Sequence, residues 1–231
     1  TEVAIAVPHT GSVSMRWAIR LSELQMPPHT IVAKRTAAID LAREQTVEDA
    51  LASDPEWVLF MDSDVVPPAN VFQQLTRHGQ PIVSGLYYMD NPDGTHPAMW
   101  RLDEYDAPSI MEKEREGLIN VDAVGFGCLL VHREVLDAVE RPWFRWTKGY
   151  EDHPWDLTHL GEKPGVSEDF FFCHKAQQAG YDIYVDTTVK CIHEKTCYLS
   201  DDGTFMQSQL NPDHMDDDRQ RHLHRDGLDD L

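Results

Sequence analysis

Basic residues are scarce: Lys and Arg number 20 against 40 Asp and Glu, for a formal net charge of −20. Binding nucleic acid through its phosphates requires a basic stripe that displaces counterions, so no nucleic-acid partner is expected. The same acid excess is what a protein from a high-salt cytoplasm carries, because strong screening removes the self-repulsion that opposes compaction, and a halophilic source is one expectation. Long apolar runs are missing too. A membrane-spanning helix needs roughly 18 to 20 predominantly apolar residues, and the longest stretches are broken by Asp62 or Gly127. No transmembrane segment is expected. No basic and apolar leader precedes the first strand-like segment, which makes a cytoplasmic location the expectation. Cysteine is sparse: Cys128, Cys173, Cys191 and Cys197 fall in core-like segments and read as reduced thiols. Gly125-Phe126-Gly127 lacks the third glycine and the opening helix of a dinucleotide fingerprint, so Rossmann-type redox chemistry is disfavoured.

What is present is an alternation of short apolar runs and helical patterns, in a chain of 231 residues that suits one full-sized core. Val3 to Val7 reads as a strand ended by Pro8, and a mostly helical spacing follows from Gly11 to Leu24. Ile31-Val32-Ala33 reads as a second strand and the stretch from Thr36 to Leu51 as a second helix. Trp57-Val58-Leu59-Phe60-Met61 is a continuous apolar run, the mark of a strand buried on both faces, and it stops at Asp62-Ser63-Asp64. Pro81 to Leu86 reads as a strand, and Val121 to His132 as a glycine-kinked strand feeding a helix from Arg133 to Val139. Residues 90–120 show no clear period. Ser167 caps a helix that reaches Gly180, and Ile183 to Val185 and Val189 to Ile192 make the last strands. The expected fold is a single α/β domain over residues 1–200, Rossmann-like, with a mixed, mainly parallel sheet flanked by helices. Residues 201–231 read as an acidic tail, partly disordered or docking as a helix.

Asp62 and Asp64 leave the sheet at a strand's C-terminal end, the edge where ligands of open α/β sheets collect. Alternate carboxylates at such a point offer hard oxygen ligands to Mn²⁺ or Mg²⁺. A solvated turn, or a helix cap by Asp64, is the plainer reading of the same three residues.

The segment Trp57 to Pro68 resembles the Asp-x-Asp segment of GT-A nucleotide-sugar glycosyltransferases, particularly family 2-like members. Four further segments occur in the family's order. Ala33-Lys34-Arg35-Thr36-Ala37-Ala38 resembles its Ala-Arg-Asn stretch, with Lys34 extra and Thr36 in place of asparagine. Val124 to Arg133 resembles its glycine-containing acceptor-side strand. Val166-Ser167-Glu168-Asp169 resembles its Glu-Asp signature, and Asp186 to His193 its closing strand with a metal-binding histidine. The resemblance implies a GT-A fold and transfer of a sugar from a UDP- or GDP-linked donor to a hydroxyl acceptor such as a glycan. Asp64 and His193 would bind the cation, with Asp62 reaching the metal or the ribose. Pro8, His9, Thr10, Arg35, Asp62 and Ser63 would hold the nucleotide sugar. Asp169 would be the general base, with inversion at the anomeric carbon, although retaining relatives carry a similar acidic pair. Gly127, Trp143, Trp146 and Glu168 would meet the acceptor, and Trp155 lies in the same aromatic loop.

Three rivals stay open. A zinc site of Cys191, His193 and Cys197 with Cys173 or His174 lacks paired Cys-x-x-Cys elbows. A nucleotidyltransferase would want a glycine-rich phosphate loop and a signature lysine near Pro8 to Arg16, where neither stands. A non-catalytic carbohydrate-binding module or degenerate transferase would rely on the tryptophans alone.

Overall fold

The computed structural model describes residues 2–35, 38–91, 94–102, 108–111, 116–148, 165–195, 197–199 and 205–207. The chain divides into two compact units, Thr1–His193 and Glu194–Leu231, so the larger unit ends seven residues before the boundary expected at residue 200.

The larger unit begins with a strand, helix, strand, helix, strand alternation: β1 (Val3–Pro8), α1 (Met15–Glu23), β2 (His29–Lys34), α2 (Ile39–Leu51) and β3 (Trp57–Met61). Ser14 caps α1 by accepting the Trp17 N–H at 3.0 Å. A two-residue strand β4 (Val65–Val66), the short helix α3 (Val71–Thr76) and β5 (Ile82–Leu86) follow. The stretch without a clear period contains a hairpin of β6 (Tyr88–Asn91) and β7 (Gly94–Pro97), then β8 (Met99–Leu102), β9 (Pro108–Ile110) and β10 (Leu118–Val121). The glycine-kinked stretch resolves into β11 (Ala123–Val124) and β12 (Cys128–His132), which feeds α4 (Arg133–Ala138). After the two-residue strands β13 (Thr147–Lys148) and β14 (Gly165–Val166) come α5 (Glu168–Gln178), β15 (Ile183–Lys190) and β16 (Ile192–His193). In the smaller unit β17 (Cys197–Leu199) pairs antiparallel with β18 (Phe205–Gln207), and the residues from 208 on lie outside those described.

The main sheet has the order β10-β15-β5-β12-β3-β1-β2. Strands β2, β1, β3, β5 and β15 share one direction while β12 and β10 oppose it, which makes the sheet mixed and mainly parallel, as the sequence implies. Side-chain alternation along β3 explains why its whole run is apolar. Val58 and Phe60 point to a cluster with Val47 of α2, Leu136 of α4 and Phe172 of α5. Leu59 faces Leu75 of α3, and Met61 faces Trp17 of α1. The sheet is therefore a middle layer covered on both faces. A second sheet, β11-β8-β9, is antiparallel and lies beside α5. No helix among the described residues is long and apolar enough to cross a membrane.

Two local readings change. Ser167 occupies the N-cap position of α5 but makes no side-chain cap bond. The first expected final strand and the start of the second run together as β15, while Ile192 belongs to β16, and the polar Asp186 within β15 is fully buried and held. Its carboxylate accepts from Arg77 Nη2 at 2.7 Å, from the backbone N–H of Thr188 at 2.9 Å and from the Thr188 hydroxyl at 2.6 Å, with His78 Nε2 2.7 Å away. Burial alone would raise the Asp186 pKa, and these bonds overturn that and hold it below the usual carboxylate value. A depressed folded pKa means stability that is present above the unfolded value and lost as pH falls through the folded one. Asp186→Asn should therefore lower unfolding free energy at neutral pH by about 1–3 kcal/mol, with the gap to the parent closing below about pH 4. Urea midpoints at both pH values test this, and an equal gap at both would refute the electrostatic account.

Candidate active site

Four side chains that bear chemistry follow the C-terminal ends of parallel strands: His9 after β1, Asp62 after β3, Tyr87 after β5 and His193 after β15. This common edge is what the parallel direction of those strands creates.

The centre of the site is a residue the sequence reading left inside a helix. Arg43 of α2 is only 2% exposed. Its Nη1 and Nη2 donate to Asp62 Oδ1 and Oδ2 at 3.0 and 3.3 Å, and its Nε donates to Glu168 Oε1 at 3.1 Å. Asp169 Oδ1 lies 3.3 Å from the same Nε. The guanidinium also sits 5.2 Å from the centre of the Phe126 ring, whose edge contacts Phe60, Phe144 and Phe172 build an aromatic floor. Burial would lower the Arg43 pKa, and the carboxylates of Asp62, Asp169 and Glu168 outweigh that and raise it. Its sequence signal was available: Arg43 lies on the inward stripe Ala42, Thr46, Val47 and Ala50, and a cation on an inward stripe demands buried counter-charge.

Asp169 is the other perturbed group. Burial pushes its pKa well above the usual carboxylate range; Arg43 pulls it down, and the neighbouring Glu168 and Asp62 charges push it up again. Its Oδ1 is buried and has no hydrogen-bond partner among the described residues. Tyr87 lies beside it in the same field, its phenol raised well above the ordinary value by burial first and by Asp62 and Asp169 next. The Tyr87 oxygen accepts the Gly127 N–H at 3.2 Å.

On the far side of Asp62, Asp64 and His193 come together because β16 pairs antiparallel with β4, placing His193 opposite Val65. His193 Nε2 is 3.2 Å from Asp64 Oδ2, and Nδ1 is 2.7 Å from the Tyr88 carbonyl oxygen. A carbonyl oxygen only accepts, so Nδ1 carries a proton and, in the neutral ring, Nε2 presents its lone pair to the carboxylate. Two electron-rich atoms at that separation need a cation between them or a proton on Nε2.

The remaining sequence-derived residues divide. Pro8, the last residue of β1, is buried, and in the loop that follows His9 is half-buried and Thr10 exposed. Arg35 reaches that loop: a Cβ on Gly11, whose φ is +123°, would lie 3.1 Å from Arg35 Cζ, so the guanidinium rests on the glycine. Ser63 is half-buried in the turn between β3 and β4. Asp62 stands where expected, with both its oxygens accepting from Arg43. Glu168 is 4% exposed and faces Arg43, not an acceptor surface. Gly127 is a packing glycine. Its carbonyl accepts the Asp62 N–H at 3.2 Å, and a Cβ there would lie 2.7 Å from Val65 Cγ2 and 2.9 Å from Tyr87 Cζ. Trp143 is 6% exposed and donates its indole N–H to the Leu136 carbonyl at 2.9 Å, so it builds the core and is not open for stacking. Trp146 is 48% exposed, and its backbone N–H donates to Asp40 Oδ2 at 3.1 Å. Trp155 lies outside the described residues.

Among the described residues no group of three or more His, Cys, Asp or Glu side chains is arranged to hold a metal ion. The zinc alternative loses ground on one of its own members: Cys173 is buried, and burial pushes its thiol up to about 12.

Comparison with known proteins fits this geometry. The model of the Anp1 family matches residues 22–120, fewer than half of the chain. Over that segment the chain is similar to a glycosyltransferase-related family. The matched residues include Arg43, Asp62, Asp64 and Tyr87 and stop short of Asp169 and His193. The crystal structure of A197 from STIV is similar with a TM-score of 0.61 and 22% identity, over 90% of this chain and 94% of that one. At that identity the likeness establishes the fold. No curated protein sequence matches.

Removing Arg43 tests the hub. Arg43→Met should cost about 3–5 kcal/mol of stability, because three carboxylates lose their common counter-charge. It should also raise the Asp169 pKa further, since Arg43 is the group that lowers it. Carbon-detected NMR titration of the Asp169 carboxyl reads the shift directly, and a downward move in the variant would contradict the assignment.

Proposed function

We propose that the protein is a nucleotide-sugar-dependent glycosyltransferase of the GT-A type, moving a sugar from a UDP- or GDP-linked donor to a hydroxyl acceptor. The observation that carries this reading is the pairing around Asp62: Arg43 ties its carboxylate to Asp169 on one side, and Asp64 meets His193 on the other. A donor site and a proton-accepting group are thereby brought to one strand edge.

Asp64 and His193 fit a divalent cation, because the Nε2 lone pair and the carboxylate converge and the Tyr88 carbonyl fixes the ring. Two protein ligands suffice where substrate phosphates and water complete the shell, and mixed nitrogen and oxygen donors suit Mn²⁺ as well as Mg²⁺. Such a cation supplies charge stabilisation to the departing diphosphate. The loop Pro8-His9-Thr10 lies at the adjoining strand end, with Arg35 against Gly11, and there the base, ribose and pyrophosphate would be received. Asp62, with its oxygens turned to Arg43, acts by keeping that guanidinium and hence Asp169 in place.

Asp169 takes the acceptor proton. Its Oδ1 makes no hydrogen bond among the described residues, and its raised pKa makes it a stronger base than a solvated carboxylate. Attack from the face opposite the leaving diphosphate gives inversion. The base must be ionised, so the rate should rise with pH through a value above the ordinary carboxylate range. Glu168→Gln, which removes a charge that raises the Asp169 pKa, should move that limb to lower pH.

Calorimetric titration with UDP- and GDP-sugars, with and without Mn²⁺, tests the class. Donor binding should depend on Mn²⁺ and weaken at least about tenfold in Asp64→Asn and in His193→Ala, and Asp169→Asn should bind donor normally but lose transfer. Metal-independent binding that survives Asp64→Asn would instead support a non-catalytic sugar-binding domain.

A further inference from the structure

Strand β2 ends the main sheet, and among the described residues no strand pairs with its outer side. Its six residues, His29 to Lys34, match β1 one for one without a bulge, so the edge is regular. The direction of its backbone groups follows from that pairing. The carbonyls of Pro28 and Lys34 accept from the N–H groups of Val3, in β1, and His9, just after it, at 3.4 and 2.9 Å. Even-numbered residues therefore turn their N–H and C=O toward β1, and His29, Ile31 and Ala33 turn theirs outward. Thr30 and Lys34 carry their side chains toward α2 and its end, where Thr30 Oγ1 is 3.2 Å from Ser53 Oγ and Lys34 Nζ is 2.5 Å from Asp49. The side chains of His29, Ile31 and Ala33 lie on the other face and are all exposed, that of Ile31 by 50%.

Such an edge is a template for another strand, and proteins blunt it with proline, charge or a bulge. Here Pro27 and Pro28 stop short of the strand, Lys34 stands at its far end and is paired with Asp49, and the register runs without interruption. Apolar exposure gathers at the same place. Of the nine large hydrophobic side chains exposed among the described residues, six are Val13, Met15, Ile19, Ile31, Ile39 and Leu41, from the segment that runs through α1 and β2 into α2. Exposure concentrated in this way marks an interaction surface. The strand also carries no acid in a chain of net charge −20, so two copies can meet along it without opposing carboxylates.

We infer that β2 is a homodimer interface, in which the β2 strands of two copies pair antiparallel about a two-fold axis between their Ile31 residues. A two-fold axis perpendicular to the sheet keeps each face on its own side, so opposed residues must come from the same face. Ile31 then meets Ile31 of the second copy, His29 meets Ala33 and Thr30 meets Val32. In this register the outward N–H and C=O groups of His29, Ile31 and Ala33 all fall in hydrogen-bonded pairs. The two exposed Ile31 side chains meet on one face, and no like charges stand opposite each other. A slip by one residue would oppose side chains of different faces, which the pleat forbids. A second copy thus satisfies the edge from both sides at once. This pairing does not depend on the transferase reading.

Sedimentation equilibrium of the full chain in about 0.1 M and about 1 M salt, between which the Debye length falls from about 10 Å to about 3 Å, measures the mass. The parent should sediment at twice the mass of one chain, with a dimer that tightens in the higher salt because screening relieves the repulsion between two acidic bodies. Ala33→Pro removes an outward N–H that β1 does not use, and Ile31→Lys sets two like charges opposite each other. Both variants should sediment as monomers with the circular dichroism of the parent. In the parent, hydrogen exchange at the His29, Ile31 and Ala33 amides should slow as protein concentration rises, and this decides the matter alone if a variant fails to fold. A monomeric parent in both salts overturns the pairing, as does a dimer that survives both substitutions. Protection of these amides that is equal at every concentration means that a segment of the same chain covers the edge, and it overturns the pairing too.

Discussion

A guanidinium as deeply buried as that of Arg43 is tolerated only where counter-charge surrounds it, and the site is organised by this requirement. Three carboxylates answer it, from the end of β3 and the start of α5. None of the three would be stable so close to the others without the cation. One buried arginine thus converts mutual repulsion among Asp62, Glu168 and Asp169 into a fixed arrangement, and it welds α2 and α5 to the sheet edge. Below it, the Phe60, Phe126, Phe144 and Phe172 rings exclude water, which strengthens every charge interaction above.

The sheet supplies the rest of the geometry. Since β1, β3, β5 and β15 run the same way, the residues that follow them emerge side by side, although they are far apart in sequence. The antiparallel β12, inserted between β3 and β5, brings Gly127 to the same edge, where its carbonyl holds the Asp62 N–H and its N–H holds the Tyr87 hydroxyl. No side chain fits there, and the close approach of Val65 and Tyr87 explains why glycine stands at this position better than any acceptor contact does.

How much of this was legible in the sequence depended on whether a local pattern carried the information. The β3 strand ends at Met61 as its apolar run does, since burial on both faces leaves no room for a polar residue before the chain exits. The alternating mixed sheet, the Asp62 to Asp64 exit, the Asp169 helix start and the meeting of Asp64 with His193 follow from strand ends and family resemblance. The short strands between Tyr88 and Val124 did not, because two- to four-residue strands in small sheets have too few alternations to register a period. Asp186 broke the apolar pattern inside β15, since its burial is offset by Arg77 and His78, just past the end of α3, which no local window contains. Trp143 was misplaced for the opposite reason: a tryptophan in a polar loop looks exposed until the Leu136 carbonyl claims its N–H. Arg43 was hidden by its neighbours, whose helical pattern is satisfied whether or not the arginine is read as part of the inward face.

The perturbation of Asp169 is a cost to the fold. A carboxyl whose folded pKa lies above its unfolded value stabilises the native state most fully below the unfolded pKa, and that contribution is lost as pH rises through the folded one. In its ionised form Asp169 is therefore a liability relative to a solvated carboxylate. Arg43 limits that cost without removing it, because it does not bond Asp169 as closely as it bonds Asp62. The guanidinium instead spends its two terminal nitrogens on Asp62 and directs its Nε hydrogen bond to Glu168, leaving Asp169 within its field but outside its hydrogen bonds. Glu168 and Asp62 thus shield Asp169 from complete neutralisation, and the three acids, though chemically alike, hold different places because one cation divides its donors unequally among them.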